Sequence, residues 1–540
     1  MIDQHDGRNP TRARVRWERV GRADPELAGP YSPETVRVVE PLDGIRSLEA
    51  ALLETADRAP DRLATIGPDG ARSYADMAAG AQSVARFLAT EAGVRPGDHV
   101  AIVLDSTSAY AAAFHGVLLA GAVAIPIPPT LPAERIDELT AWTRCRAVLE
   151  DAAGGGDAIP TIELETRLRA NEGLPPPADL HELAAILLTS GSTGPPKAVM
   201  LSRANLASNA DAIRRSVLGL TASDRALVTL PFHHAFGNSV LQSHLLAGSC
   251  LVFDPAARLA PLDAITSHRV TALYEVPDRC VLLERSLRAA EVPESLRLVA
   301  VAGGRLSPAL ALALREALAP AILVVMYGQS EATARLTCLD PEWLARAPGS
   351  IGRPIPGVEI EVVDDTGCAL EPGGIGAIRA RGPGTCLGYW RDPAATADIL
   401  RGGWLWTMDR GSVDAFGLLH HAGRVDDVVK IGGRRVDLGR LSRDAEAATG
   451  AGRCAAVAFE TAEGASRIGL FVVGGSALRE KALAWCRSSL PRDERPAVIE
   501  AVESLPTLPS GKLDTTALAE RARDTWSGAS RAERTTETGR

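Results

Sequence analysis

Strand-length apolar runs that alternate with helical stretches predict an α/β protein whose large N-terminal domain is built of doubly wound, mostly parallel sheets. Two further observations complete that reading. At 540 residues the chain is well beyond one hydrophobic core, so at least two domains are expected. From Gly349 the sequence turns rich in glycine and proline around short strands, which predicts a small β subdomain, and the stretch after it reads as a compact α+β C-terminal domain. The expected division is an N-terminal extension at 1–45, a large domain at 46–425, a C-terminal domain at 426–522 and a disordered tail at 523–540.

Each element follows from local pattern. Residues 1–45 are polar, charged and contain proline, so a loosely attached extension is expected in which Trp17 and Tyr31 alone would pack. SLEAALLETADRAP has helical spacing, HVAIVLD (99–105) is strand-like, YAAAFHGVLLAGA is helical with His115 as a packed core histidine, and AVAIPIPP is the next strand. AAILL (184–188) and AVMLS (198–202) are two more strands, followed by the helical RANLASNADAIRRSVL. LVTLPFHHAFGN then brings an apolar strand up against His233 and His234. A zinc pair is the rival reading, but adjacent histidines do not easily chelate one ion and no third ligand has suitable spacing. ALYEVP (272–277) and LRLVAVAGGRLS (296–307) each end a strand in a turn, with Gly303 and Gly304 permitting close backbone approach. LVVMYGQSEATA (323–334) delivers Tyr327, Gly328, Ser330 and Glu331 at the carboxyl end of a buried strand, where open α/β sheets bind ligands. IEVVDD and GAIRARG form the β subdomain; His420 and His421 are expected at a strand end without chemistry. AAVAF, IGLFVV, LREKALAWCRSSL and AVIEAV supply the C-terminal domain.

Composition excludes several classes of partner. A net charge of −9 leaves no basic field to neutralise a nucleic-acid backbone or an acidic membrane. The N-terminus has no apolar signal core, and no run approaches the roughly eighteen apolar residues of a membrane span. Eight scattered cysteines form no CxxC pair, and free thiols in a reducing cytoplasm are expected. No GxGxxG follows a first strand, which argues against a nicotinamide oxidoreductase, and the HIGH- and KMSKS-like strings of an aminoacyl-tRNA synthetase are missing.

The stretch that carries most chemistry is 189–202, TSGSTGPPKAVMLS. Gly191 and Gly194 let backbone amides approach phosphate oxygens, Thr189, Ser190, Ser192 and Thr193 add hydroxyls, and Lys197 adds a point charge. It is not a Walker loop, because Pro196 and Ala198 flank the lysine. Framed by two apolar runs, it reads as a hairpin loop rather than a Gly/Ser linker. This run closely resembles the phosphate loop of the ANL superfamily of adenylate-forming enzymes, which groups acyl- and aryl-CoA synthetases, peptide synthetase adenylation domains and luciferases. The resemblance extends through ordered motifs from about Ser47 to Leu518.

The resemblance implies a reaction and a set of roles. A carboxylic acid attacks the α-phosphorus of Mg·ATP, pyrophosphate leaves, and the acyl-adenylate passes its acyl group to the thiol of CoA or of carrier-protein phosphopantetheine. Lys197 and the loop would hold the β- and γ-phosphates, Gly303, Gly304 and Tyr327 the adenine, Glu331 (in YGQSE, for the family's YGxTE) the Mg²⁺, and Asp409 and Arg424 the ribose. Met408 replaces the glycine of the usual TGD. His233, Phe236 and Asn238 resemble residues of the acid pocket, which suits an uncharged body, and His234 joins Glu331 and Lys512 as a catalytic residue. Peptide synthetase domains place an aspartate near here for the α-ammonium, and none lies between Pro231 and Ser243. Lys512, in the family's SGK position, would bridge carboxylate and α-phosphate. Asp426 resembles the hinge about which a mobile lid swings; it, Lys430, Gly432 and Gly433 would face the acceptor. The family's PxE is replaced there by Leu438 and Arg440, either a re-paired surface charge or a changed acceptor face. The alternatives left open are an amide-forming ligase with an amine acceptor and a non-catalytic nucleotide- or acyl-binding relative.

Overall fold

The computed structural model describes residues 14–16, 46–68, 70–150, 179, 182–189, 197–424, 428–431, 434–461, 466–491, 494–508 and 513–537. Within these, two large sheets share a helical layer. The first runs in the order Arg14–Arg16, Cys145–Glu150, His99–Val103, Val123–Pro126, Leu183–Thr189, Lys197–Ser202, Gly388–Tyr389. Its centre is parallel, and Leu183–Thr189 pairs antiparallel with Lys197–Ser202, which is the hairpin the phosphate-loop pattern predicts. His99–Val103 is buried throughout, as a central parallel strand covered on both faces must be.

The second sheet is parallel from Leu63–Gly67 through Cys250–Val252, Arg225–Leu227, Ala272–Glu275 and Leu298–Val301 to Ile322–Tyr327. At Ile322–Tyr327 it changes character: Thr337–Cys338 pairs antiparallel with it, followed outward by Ser350–Pro354, Leu419–Arg424, Trp404–Val413, Gly376–Arg381 and Glu359–Val363. The expected β subdomain is thus continuous with this sheet. Its strands therefore come back beside the carboxyl end of Ile322–Tyr327.

One apolar cluster joins both sheets to the intervening helices and includes Leu52, Tyr74, Phe114, Leu201, Leu241 and Leu298. Two of the helices start at reciprocal capping boxes, Ser73 with Asp76 and Ser202 with Asn205. His115 is a core histidine, bonded through Nδ1 to the Ala111 carbonyl at 3.0 Å.

The C-terminal part has its own cores, one around Leu441, Leu470 and Val472, another around Phe459, Phe471 and Leu518. Ion pairs join it to the large domain: Arg305 with Glu446, Arg453 with Asp278, and Arg410 Nη1 with Asp437 Oδ2 at 3.7 Å. Two expectations at the chain ends need correction. Arg14–Arg16, placed in a loose extension by its composition, forms a strand antiparallel to Cys145–Glu150, because that sheet edge offers unpaired backbone groups. The tail expected to be disordered from 523 is instead the continuation of the helix Thr515–Glu537. Its residues are mostly good helix formers, and Trp526 packs on Phe459 with ring centroids 6.5 Å apart. No helix among the described residues is long and apolar enough to cross a membrane.

Candidate active site

The site lies where the hairpin, the Ile322–Tyr327 strand end and the β subdomain meet. Thr189 and Lys197 are register partners at the mouth of the hairpin, and Thr189 Oγ1 donates to the Lys197 carbonyl at 3.3 Å. The loop residues between them, Ser190, Gly191, Ser192, Thr193 and Gly194 included, lie outside the described residues, as do Asp426, Gly432, Gly433 and Lys512. Lys430 stands in strand Val428–Ile431, in register with Arg435.

Lys197 Nζ sits 4.9 Å from the ring centroid of Tyr389, and the Tyr389 hydroxyl donates to Glu331 Oε1 at 2.7 Å. These contacts assemble a cation, a phenol and a carboxylate from three separate elements. Tyr389 was not legible as a site residue; Gly388–Tyr389 reaches the site by pairing with Met200 and Val199. Burial, then the charge of Glu331, push the Tyr389 phenol well above its ordinary pKa, so it is a fixed donor. Among the described residues Glu331 Oε2 accepts no hydrogen bond, so an oxygen ligand of the kind Mg²⁺ prefers is available. Tyr389→Phe is expected to lower kcat/KM for ATP about tenfold and to raise the Mg²⁺ concentration needed for half-maximal pyrophosphate exchange, since a hydrogen bond to a charged group contributes roughly 1.5–3 kcal/mol. An unchanged Mg²⁺ titration would remove Tyr389 from this role.

Gly328 has a structural reason to be glycine: a Cβ there would stand 1.8 Å from the Ala334 carbonyl oxygen. The chain folds back over it through the short turn Ser330–Ala332, which carries Glu331. Asn209, on the helix after the hairpin, fastens the far side by donating to the Arg335 carbonyl at 2.9 Å.

Asp409 is set by a bulge. Between Ala377 and Arg379 the pairing with Trp404–Val413 skips from Arg410 to Trp406, and Met408 takes φ of +62°, a conformation rare outside glycine. The extra residues turn Asp409 onto Tyr327, whose hydroxyl donates to Oδ2 at 2.6 Å; Arg424 Nη1 and His421 Nε2 each stand 3.4 Å from Oδ1. Burial alone would raise the Asp409 pKa. The hydrogen bond and charge of His421, the charge of Arg424 and the Tyr327 hydroxyl outweigh it and hold the carboxyl below its ordinary value. The expectation for His421 is corrected here, because it lies inside strand Leu419–Arg424 and meets a site carboxylate. His420 pairs instead with Asp414 at 2.8 Å.

His233 and His234 have ring centroids 4.3 Å apart at the start of helix Ala235–Ala247. Burial, then the neighbouring His234 charge, push His233 down to about 3, so it is neutral near pH 7. Phe236 lies beside Gly303, whose φ is +85° and whose added Cβ would come within 3.9 Å of the ring; Gly304 borders Pro277. Asn238 is buried, and its amide nitrogen has no hydrogen-bond partner among the described residues. Of the PxE substitution, Leu438 opens helix Leu438–Thr449 and is buried, while Arg440 is paired with Glu494 and, at 3.3 Å, with Asp444. The reversed charge is therefore re-paired on the surface.

Comparison with known proteins identifies the family. A family model described as AMP-binding enzyme matches residues 52–390. The chain is 30% identical over 466 residues to feruloyl-CoA synthase of Amycolatopsis sp, covering 82% of this chain and 92% of that one. It is 31% identical to L-proline–[L-prolyl-carrier protein] ligase of Streptomyces coelicolor, covering 85% and 94%. Among solved structures, o-succinylbenzoate CoA synthetase of Bacillus subtilis in complex with its acyl-adenylate intermediate superposes with a TM-score of 0.74 at 25% identity, covering 87% of this chain and 97% of that one.

Proposed function

Since the chain belongs to the AMP-binding enzyme family and is an AMP-forming acid ligase that uses ATP, we propose that it activates an aryl or acyl carboxylic acid and transfers the acyl group to a thiol of CoA or of a carrier protein. The observation that carries this reading is the convergence of Lys197, Tyr389 and Glu331 on one side with Tyr327, Asp409 and Arg424 on the other. One set suits a triphosphate, the other a nucleoside.

In the first step an oxygen of the acid bonds to the α-phosphorus and the α–β bridging P–O bond breaks, with pyrophosphate taking the electron pair. Two anions must be brought together, so orientation and charge screening supply most of the rate and no side-chain nucleophile is required. Lys197 and the loop hold the outer phosphates, Tyr327, Gly303 and Gly304 the base, Asp409 and Arg424 the ribose. Lys512 follows charge from carboxylate to α-phosphate. Mg²⁺, held by Glu331 with Tyr389 steadying the other carboxylate oxygen, would neutralise phosphate charge. His233, His234, Phe236 and Asn238 border the acid.

A free α-amino acid is disfavoured as substrate, since an ammonium buried without an anionic partner costs several kcal/mol and Pro231 to Ser243 offer no aspartate. In the second step the thiol displaces AMP. The division at 46–425 and 426–522, with Asp426 as hinge and Lys430, Gly432 and Gly433 on the acceptor face, accounts for how one site would serve both steps. A cytoplasmic setting is supported by eight cysteines of which none is paired.

The test is to incubate enzyme, ATP and a panel of aryl, acyl and amino acids with CoA, a phosphopantetheinylated carrier protein or an amine pool, and to identify products by mass spectrometry. A thioester is expected; an amide without thioester would overturn the acceptor, and exchange confined to amino acids would overturn the acid class. Asp426→Pro, which fixes φ and removes an N–H at the hinge, is expected to keep pyrophosphate exchange and to block transfer. Undiminished transfer in that variant would refute the hinge.

A further inference from the structure

Two arginines are among the largest fully buried side chains, and they are treated differently by the fold. Arg203, 1% exposed, is paired with Glu49; Arg335, 2% exposed, meets no carboxylate and no hydrogen-bond acceptor for its guanidinium among the described residues. Its Nε is fully buried and unpartnered. The titratable groups that face it are the Cys338 thiol and the Tyr274 phenol, both of which burial pushes toward their neutral forms. A buried guanidinium with no acceptor is costly, because an uncompensated charge has been taken out of water. Stacking on an aromatic face offsets part of that and supplies no acceptor.

The position of Arg335 says where its acceptor comes from. The guanidinium carbon lies 4.8 Å from the ring centroid of Phe236, the residue that also borders Gly303. Tyr274 meets that ring edge-on, with centroids 6.3 Å apart, and its hydroxyl is held by His244 Nε2 at 2.8 Å. Asn209 grips the Arg335 backbone from both ends, accepting from its N–H at 3.3 Å and donating to its carbonyl at 2.9 Å. The side chain is thus anchored four residues beyond Glu331, against the aromatic wall of the acid pocket.

Resting on the ligase reading above, we propose that Arg335 receives a second carboxylate carried by the acid, so that the preferred substrate is a dicarboxylic acid whose far end ion-pairs with this guanidinium while its near end is adenylated. The uncharged acid body expected from the sequence gives way to an anionic one. The same guanidinium repels an ammonium, which agrees with the exclusion of α-amino acids. A bidentate pair with a planar carboxylate provides the two acceptors that the fold withholds.

The test compares acids matched in skeleton: glutarate with valerate, succinate with butyrate, terephthalate with benzoate. In pyrophosphate exchange at least one diacid should exceed its monoacid twin about a hundredfold in kcat/KM. Arg335→Met should erase that ratio through the KM for the diacid, with the KM for ATP unchanged, and Arg335→Lys should restore part of it. A wild-type preference for monoacids overturns the proposal, and so does an Arg335→Met variant that loses both members of a pair equally. The wild-type comparison stands even where a variant fails to fold. Calorimetric titration of each acid into wild type with AMP separates binding from chemistry. If no acid supports exchange, the ligase reading falls, and Arg335 is then judged by whether diacids alone bind; absence of diacid binding overturns it.

Discussion

Replacing Lys512 with alanine is expected to lower acid-dependent ATP–pyrophosphate exchange by about a hundredfold or more while the fold survives, on the scale of losing one preorganised charge contact to the transition state. Negative charge moves from the carboxylate to the α-phosphate during adenylation, and among the groups assigned to the site Lys512 alone is given that moving charge. Lys197 is committed elsewhere, against Tyr389 at the hairpin mouth. The effect should appear in kcat more than in the KM for ATP, because the contact strengthens as the reaction proceeds. Exchange unchanged within error would remove Lys512 from the mechanism.

The second large effect belongs to Asp409. Tyr327, His421 and Arg424 all address this one carboxylate, so Asp409→Asn leaves a single acceptor oxygen and turns an amide N–H₂ toward groups that also donate. A loss of roughly 2–3 kcal/mol is expected for a charge-assisted hydrogen bond, which is an AMP affinity weaker by roughly 30- to 150-fold by calorimetry. AMP affinity equal to wild type would exclude Asp409 from the nucleotide site. The pH dependence has a definite sign. Because the folded pKa lies below the ordinary carboxylate value of about 3.9, the stabilisation from the ionised form is complete above that value and is lost as pH falls through the folded pKa. AMP binding by wild type should therefore show no Asp409 titration between about pH 5 and 7 and fail only in stronger acid.

What was legible in the sequence is what is local in the chain. The phosphate loop lies between two strands that are themselves neighbours, so Thr189, Lys197 and the hairpin could be read together. Tyr327 and Glu331 follow one buried strand and are four residues apart for the same reason. Tyr389, His421 and Arg335 escaped because nothing near them in the chain announces their role. Tyr389 meets Glu331 across 58 residues, and in its own segment it is an unremarked aromatic before a tryptophan. His421 looks the same as His420 in sequence; the strand's alternation and register give one Asp414 and the other Asp409. Arg335 reads as an ordinary surface charge until burial is known, since a sequence shows a charge but not the missing counter-charge. At the ends of the chain, composition was a poor guide because a sheet edge and an aromatic contact recruit segments that are polar on average.

The left-handed backbone at Met408 ties two properties of the molecule together. Such a conformation costs of order 1–3 kcal/mol for a residue with a side chain and persists only where the surroundings over-determine it. Here the restraint is the Met408 side chain itself, packed against the main apolar cluster of the large domain. The turn that aims Asp409 is thus held from beneath by core packing rather than by its own chain. Softening of the core would release the turn, so the Asp409 contacts and the interior should lose order together as temperature rises, with no interval in which a well-packed domain has a displaced Asp409.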